Sequence, residues 1–264
     1  MITVMIPARH GSTRYPGKPL APIKGETGVA KSLIRRTWEA ASKVDSSYTV
    51  YVATDSDEIA EHVGSFGGQT VMTASECRNG TERCWDASSR LGGNDDDIIV
   101  NFQGDALLTP PAYPKQLVDY LIANPELDVA TVAVPCEEEH YRKLEADSRN
   151  DIIGGTFVVT DMNGRALYFS KRMIPYRNGY DERLGKSYLH VGIYAYRRRA
   201  LRRYCELPVS DYEQCEGLEQ LRFLYNAISI GVVKCQSPEW ELWELNNPSD
   251  LAHIENALSL AGIE

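Results

Sequence analysis

Apolar positions along the 264-residue chain alternate between two spacings, and the changes of spacing mark its elements. Residues 2–6 form an unbroken apolar run, the mark of a buried strand. Residues 28–44 carry Val29, Leu33, Ile34, Thr37, Trp38 and Ala41 at helical spacing, which predicts a helix across that range. Residues 48–53 read as a second strand, and Thr54-Asp55 as the cap of a helix over 56–66 that Gly67-Gly68 ends. A short strand at 70–73, a helix from 80 to about 91, a strand at 98–102, a helix at 114–123 and a strand at 129–134 follow. Strands alternating with helices in this way predict an α/β fold, a mostly parallel sheet with helices on both faces.

After Pro135 the pattern changes. Residues 137–150 are highly charged, and 154–196 hold three strand-like runs separated by Asn163-Gly164 and by a Gly/Tyr/Arg loop at 176–187. This predicts antiparallel hairpins inserted at about 136–200 into a single 1–264 domain. Residues 228–234 form a last apolar strand, and Asn247-Pro248 opens a closing helix with Asn at N-cap and Pro at N1.

Composition narrows the partners. A hydrophobic fraction of 43% supports a substantial core, while a net charge of −9 argues against a nucleic-acid surface. Six cysteines show no C-x-x-C pair, so they read as reduced, mostly packed thiols. No apolar run approaches the ~20 residues of a membrane span and no signal peptide precedes the first strand, so a cytoplasmic protein with no membrane partner is expected. Asp95-Asp96-Asp97 reads as a solvated turn without chemistry.

Candidate chemistry concentrates in the loop after the first strand, where open α/β sheets bind ligands. Residues 7–20 place Arg9, Arg14 and Lys18 among Ala8, Gly11, Ser12 and Thr13, with Pro7, Pro16 and Pro19 limiting the loop's freedom. Cations, hydroxyls and small residues that expose backbone N–H groups suit a triphosphate. The loop is neither G-x-x-x-x-G-K-[ST] nor G-x-G-x-x-G. A basic surface loop stiffened by prolines would carry the same residues. Asp105 ends the strand at 98–102 after Gln103-Gly104, where a Mg²⁺ bridging phosphates needs an oxygen ligand.

The loop matches Pro-Ala-Arg-x-x-Ser-Thr-Arg-x-Pro-Gly-Lys-Pro-Leu at every specified position, and so resembles the sugar-activating cytidylyltransferases of the 3-deoxy-manno-octulosonate (Kdo) family. Colinear matches extend over nearly the whole chain. Asn79-Gly80-Thr81-Glu82-Arg83 resembles Ser-Gly-Thr-Glu-Arg, which implies that Gly80, Thr81 and Arg83 lie beside the nucleotide base. Gln103-Gly104-Asp105 follows the family pattern, then departs with Ala106-Leu107 in place of Glu-Pro. His190-Val191-Gly192-Ile193-Tyr194 and Leu218-Glu219-Gln220-Leu221-Arg222 match segments implying sugar-acid contacts at His190, Tyr194, Glu219 and Gln220. Lys171 stands where the pattern has Arg, keeping the charge and losing the bidentate fork. Asn246 stands where the family has the second carboxylate on the metal.

The resemblance implies a Rossmann-like nucleotidyltransferase fold and a Mg²⁺ held by Asp105 and Asn246. It implies transfer of CMP from CTP to a small sugar acid in lipopolysaccharide or capsule sugar activation, with Arg9, Lys18 and Asp105 carrying catalysis. It also implies a homodimer, with the 136–200 insertion covering the sugar site and making the dimer contact. Three outcomes stay open at this point: Kdo or its 8-amino analogue as acceptor, a different anionic acceptor such as another ulosonic acid or a phosphonate, and a nucleotide-binding protein that has lost turnover.

Overall fold

A computed structural model describes residues 1–11, 15–150, 152–177 and 185–264. Strand β1 (Ile2–Ala8) runs through the middle of the main sheet, with β4 (Thr49–Thr54) and β6 (Ile98–Asn101) parallel on either side. Beyond β4 lies β5 (Gln69–Met72); beyond β6 lie β10 (Ser187–Arg197), β7 (Val129–Cys136) and β11 (Ile230–Lys234). Only β10 runs antiparallel to its two neighbours along this path. The chain builds outward from β1 to β5, then crosses back to lay β6 on the other side of β1. The reversal leaves a crevice between the carboxyl ends of β1 and β6.

The strands alternate between two apolar layers. Val4, Ile6 and Val52 pack with Ile34 of α1 (Leu33–Ser42), Ile59 of α2 (Asp57–Ser65) and Leu117 of α4 (Ala112–Ala123). Met5, Ala53 and Ile99 face the other way, onto Ala87 of α3 (Gly80–Leu91) and Leu201 of α6 (Arg198–Glu206). Helices on both faces of a mostly parallel sheet are what the spacing predicts.

The predicted helix over 28–44 begins later than its periodicity suggests. Residues Ala30–Ser32 form β3, paired with β2 (Pro22–Lys24), and the helix starts at Leu33 with Ser32 as its cap. The buried Arg36 guanidinium explains this. It donates to the carbonyls of Ile23 in β2 (2.9 Å) and of Val29 just before β3 (2.8 Å), which fixes the chain where the hairpin turns into its second strand. Ser56, not Thr54 or Asp55, caps α2, and Asn79 caps α3 by accepting from the Glu82 amide at 2.8 Å.

Residues 136–200 hold α5 (Glu138–Ser148) and the hairpin of β8 (Phe157–Thr160) with β9 (Ala166–Ser170). This hairpin joins the main sheet through β10, at Tyr188 and Leu189. Because β10 is eleven residues long but meets β6 only from Tyr194 onward, its first half projects past the crevice. A register shift between Val191 and Tyr194 bends it there.

The acidic turn is not merely solvated. Asp97 is buried and accepts from the Asn94 amide at 2.7 Å, while Asp95 takes both arms of Arg202 at 2.8 and 2.9 Å. The Asp97 bond closes the turn and the Asp95 bonds fasten it to α6, so these acids have structural work and no chemistry is assigned to them.

A second fastening lies under the crevice. Arg222 of α8 (Leu221–Tyr225) is 1% exposed and makes two bonds, 2.8 and 2.6 Å, to Glu213 of α7 (Asp211–Glu216). Its guanidinium also lies 4.0 Å from the Tyr204 ring centre and 3.6 Å from Glu82 on α3. Glu213→Ala leaves this cation buried without its main partner, so urea unfolding should show a loss of about 3–5 kcal/mol. A loss below about 1 kcal/mol would show that water reaches Arg222 and that the pair is not a buried one.

A candidate nucleotide cleft at the carboxyl ends of β1 and β6

The crevice is a cavity of about 350 Å³. Three walls meet there: Pro7, Ala8 and Arg9 from the end of β1, Arg78, Asn79, Gly80 and Arg83 from the start of α3, and Gln103, Gly104 and Asp105 after β6. Lys18, Pro19, Leu33, Cys77 and Glu219 also line it. Gly104 lets the two strand ends approach, because a Cβ there would lie 2.6 Å from the Pro7 carbonyl oxygen. Thr37 of α1 secures the same turn by donating to the Gly104 carbonyl at 2.9 Å.

The loop after β1 closes on itself at its base, with the Gly17 amide donating to the His10 carbonyl at 3.4 Å. Gly17 has φ 68°, a left-handed turn that glycine adopts without strain and that leads into a short 3₁₀ turn at Lys18–Leu20. Arg9 and Lys18, nine positions apart, thereby reach one mouth. Arg9 is exposed there, with no carboxylate in ion-pair range among the described residues; Gly11 is exposed beyond it. Ser12, Thr13 and Arg14 lie outside the described residues.

Lys18 is the busiest of these cations. Its Nζ lies 2.6 Å from Asp105 Oδ2 and donates to the Leu245 carbonyl at 2.9 Å. Leu245 arrives from the far end of the chain, held in an apolar cluster with Ile23, Leu107 and Ile254 of α9 (Leu251–Leu260). Asn246 follows Leu245 directly, and its backbone N–H donates to Asp250 at 2.8 Å. The C-terminal segment is thus anchored beside Asp105 through Lys18.

Arg83 and Thr81 support the cleft from behind. The Arg83 guanidinium is buried and committed to Asp55 (2.9 Å) and to the Thr73 hydroxyl (2.5 Å). Thr81 is buried, and its hydroxyl donates to Glu219 Oε2 at 2.8 Å. Burial raises the Glu219 carboxyl above its usual range, against the pull of that hydrogen bond. Arg78, which sequence reasoning passed over, lines the cleft and pairs with Glu82. Burial works against the Glu82 charge, and the bonds from Arg78 outweigh it, leaving that carboxyl below its usual range. Arg78 is adjacent to the recognised Asn79-Gly80 pair, so proximity alone was the available signal.

Of the residues expected to touch a sugar acid, His190 and Tyr194 stand on either side of the β10 bend, while Lys171, Glu219 and Gln220 lie on or over the segment from Gly217 to Gln220. His190 and Tyr194 have ring centres 5.3 Å apart, and Phe169 packs edge-on against His190 at 5.1 Å. Thr131 on β7 fills the bend: its hydroxyl donates to the Ile193 carbonyl at 2.8 Å and lies 3.0 Å from His190 Nε2. With the hydroxyl proton on that carbonyl, Nε2–H donates to Thr131 and Nδ1 is left as an acceptor. Burial pushes the imidazole down to about 3, so it is neutral at physiological pH. Gln220 is 5% exposed, and its Nε2 has no partner among the described residues. Lys171 Nζ lies 3.0 Å from where a Cβ on Gly217 would sit, over the turn that leads into Glu219 and Gln220. Glu244, also unforeseen, brings Oε1 to 3.5 Å from the corresponding point on Gly192 in the β10 bend.

Known proteins resemble this chain in sequence and fold. A family model described as cytidylyltransferase matches residues 3–230. The chain is 41% identical over 261 residues to 3-deoxy-manno-octulosonate cytidylyltransferase of Maricaulis maris (strain MCS10), covering 99% of this chain and 98% of that protein. It is 39% identical over 262 residues to 8-amino-3,8-dideoxy-manno-octulosonate cytidylyltransferase of Shewanella woodyi (strain ATCC 51908 / MS32), covering 98% and 99%. A solved CMP:2-keto-3-deoxy-manno-octonic acid synthetase complexed with CTP superposes with a TM-score of 0.84 at 32% identity, covering 98% of this chain and 99% of that one. With its crevice between β1 and β6 and near-complete coverage in each comparison, the chain belongs to the cytidylyltransferase family.

Proposed function

We propose that the chain transfers a cytidylyl group from CTP to the anomeric hydroxyl of a 3-deoxy-2-ulosonic acid, Kdo or its 8-amino analogue, with release of pyrophosphate. The observation that carries this is the meeting of Lys18 and Asp105 at the crevice between β1 and β6. Around it stand Arg9 and the α3 start, on the side where a triphosphate and its base would lie. The near-full-length similarity to enzymes named for those two acceptors supports the same assignment.

A nucleotide triphosphate brings about four negative charges, and an oxygen nucleophile approaches its α-phosphate only once they are screened. Arg9, Lys18 and the loop amides would do this screening, and the crevice would hold the α-phosphate in line with the incoming hydroxyl. The anomeric oxygen bonds to the α-phosphorus as the bond to the β-phosphate oxygen breaks, so no covalent enzyme intermediate is required. Among the described residues no cluster of three or more His, Cys, Asp or Glu side chains forms a metal cage. Mg²⁺ nevertheless fits, because it is commonly held by one or two carboxylates together with substrate phosphates. Asp105 and Asn246 would hold it, and it would neutralise phosphate charge when bound.

His190, Tyr194, Gln220, Glu219 and Lys171 would bind the acceptor. A neutral His190 contributes hydrogen bonds there, leaving Lys171 as the cation for the acceptor carboxylate. In this proposal the enzyme works as a cytoplasmic homodimer, supplying activated sugar for lipopolysaccharide or capsule. No helix among the described residues is long and apolar enough to cross a membrane.

Pyrophosphate release with CTP and Mg²⁺ should be fast with Kdo or 8-amino-Kdo and slower with other ulosonic acids or phosphonates. CTP should outrun ATP and GTP. Release with no acceptor on the panel, or equal rates with a purine triphosphate, would contradict the assignment. Lys18→Ala should lower kcat/KM for CTP by about two orders of magnitude, roughly 3 kcal/mol of lost charge stabilisation. A folded variant with the wild-type rate would remove Lys18 from the reaction.

His190 makes a separate prediction about stability. Its folded value of about 3 lies below its ordinary 6.5, so the unfolded chain binds more protons between those limits. The His190 contribution is therefore complete above about 6.5 and is lost as pH falls toward 3. Urea unfolding at pH 7 and pH 5 should show wild type losing more stability on acidification than His190→Gln. Equal losses would mean the imidazole is solvated in the folded chain.

A further inference from the structure

We infer that Lys18 is the counter-ion Asp105 carries in the nucleotide-free chain, so that a divalent cation enters the cleft only after a triphosphate has drawn Lys18 away. This rests on the cleft being a CTP site, as proposed above. The pair is not a loose surface contact: its side chains are 19% and 17% exposed, and Nζ is also tied to the Leu245 carbonyl. The backbone under Lys18 is set by Gly17 and by the buried Pro19, while its four-carbon stem leaves the ammonium free to change partners.

Charge makes the consequence specific to this chain. Asp105 supplies one negative charge and Lys18 cancels it. Asn246, the other residue assigned to the metal, supplies none. A hard divalent cation therefore meets a site of no net charge whose single carboxylate is already engaged. Phosphates change both conditions at once. They offer Lys18 a stronger set of acceptors, which releases Asp105, and they add anionic oxygens to the vacated position. Nucleotide and metal are thereby coupled: each makes room for the other, and the coupling is reciprocal. The Leu245 carbonyl gives the released ammonium no charge to return to, so Asp105 alone recaptures it once the phosphates leave.

Mn²⁺ binding, followed by the electron paramagnetic resonance signal of the free ion, reads this without turnover. Nucleotide-free wild type should bind Mn²⁺ at least tenfold more weakly than Lys18→Met, which keeps the stem and removes the charge. Lys18→Arg, which keeps the charge, should behave as wild type. Asn246→Asp should also gain nucleotide-free affinity, and the gain of Lys18→Met should vanish when Asp105→Asn is added. Equal nucleotide-free affinities for wild type and Lys18→Met would overturn the inference, as would a gain that survives Asp105→Asn. Calorimetry with CTP in metal-free buffer is the separate check on the site itself: wild type that binds no CTP would overturn the nucleotide assignment, while the Mn²⁺ comparison would still read the Lys18–Asp105 pair.

Discussion

A chain with a net charge of −9 that receives a triphosphate must first silence its own carboxylates around the cleft. Among the described residues, four acids that face or back the crevice are silenced, three by a paired cation and one by burial. Asp105 is held by Lys18, Asp55 by Arg83, and Glu82 by Arg78 with Arg222 behind it. Glu219 carries no cation of its own; burial raises it and the Thr81 hydroxyl satisfies it. What faces outward from this balanced set is Arg9. A cation at the mouth of a neutralised crevice can steer an anion that the body of the protein would repel.

The same pairs are also the joints of the fold. Arg83 ties α3 to the ends of β4 and β5, Arg222 ties α8 to α7 and α3, and Lys18 ties the first loop to the turn after β6 and to the C-terminal segment. Removing a charge here exposes its partner, so these positions affect stability and binding together. The surroundings of the β10 bend, the proposed acceptor side, are built differently. They use packed rings and neutral groups, with Thr131 bonded to the Ile193 carbonyl, His190 past the end of β6, and Tyr194 level with Asn101, the last residue of β6.

The parallel sheet was legible because each strand and helix keeps its own hydrophobic period from Ile2 to Val134. The start of α1 was not, since Arg36 fixes the chain where the hairpin turns into residues 30–32, through carbonyls that no side-chain pattern reveals. Arg9, Gln103 and Asp105 were readable because they follow the ends of β1 and β6, and Lys18 because it shares the first loop with Arg9; Gly80 was legible only through the family resemblance. The pairing of Lys18 with Asp105 was not, because it links positions 87 residues apart. Leu245 was invisible for a simpler reason: it acts through its backbone oxygen, which every residue has. Asp97 misled because three consecutive acids look solvated, whereas this one turns inward to hold its own turn.

The most direct measurement is a crystal structure of the chain with CTP bound. The account predicts the triphosphate between Arg9 and the Gly104 turn, the cytosine against Asn79 and Gly80, and Lys18 Nζ on phosphate oxygens with its bond to Asp105 broken. CTP seated elsewhere, such as the hollow lined by Trp240 and His253, would contradict it. So would CTP in the crevice with the Lys18–Asp105 bond intact.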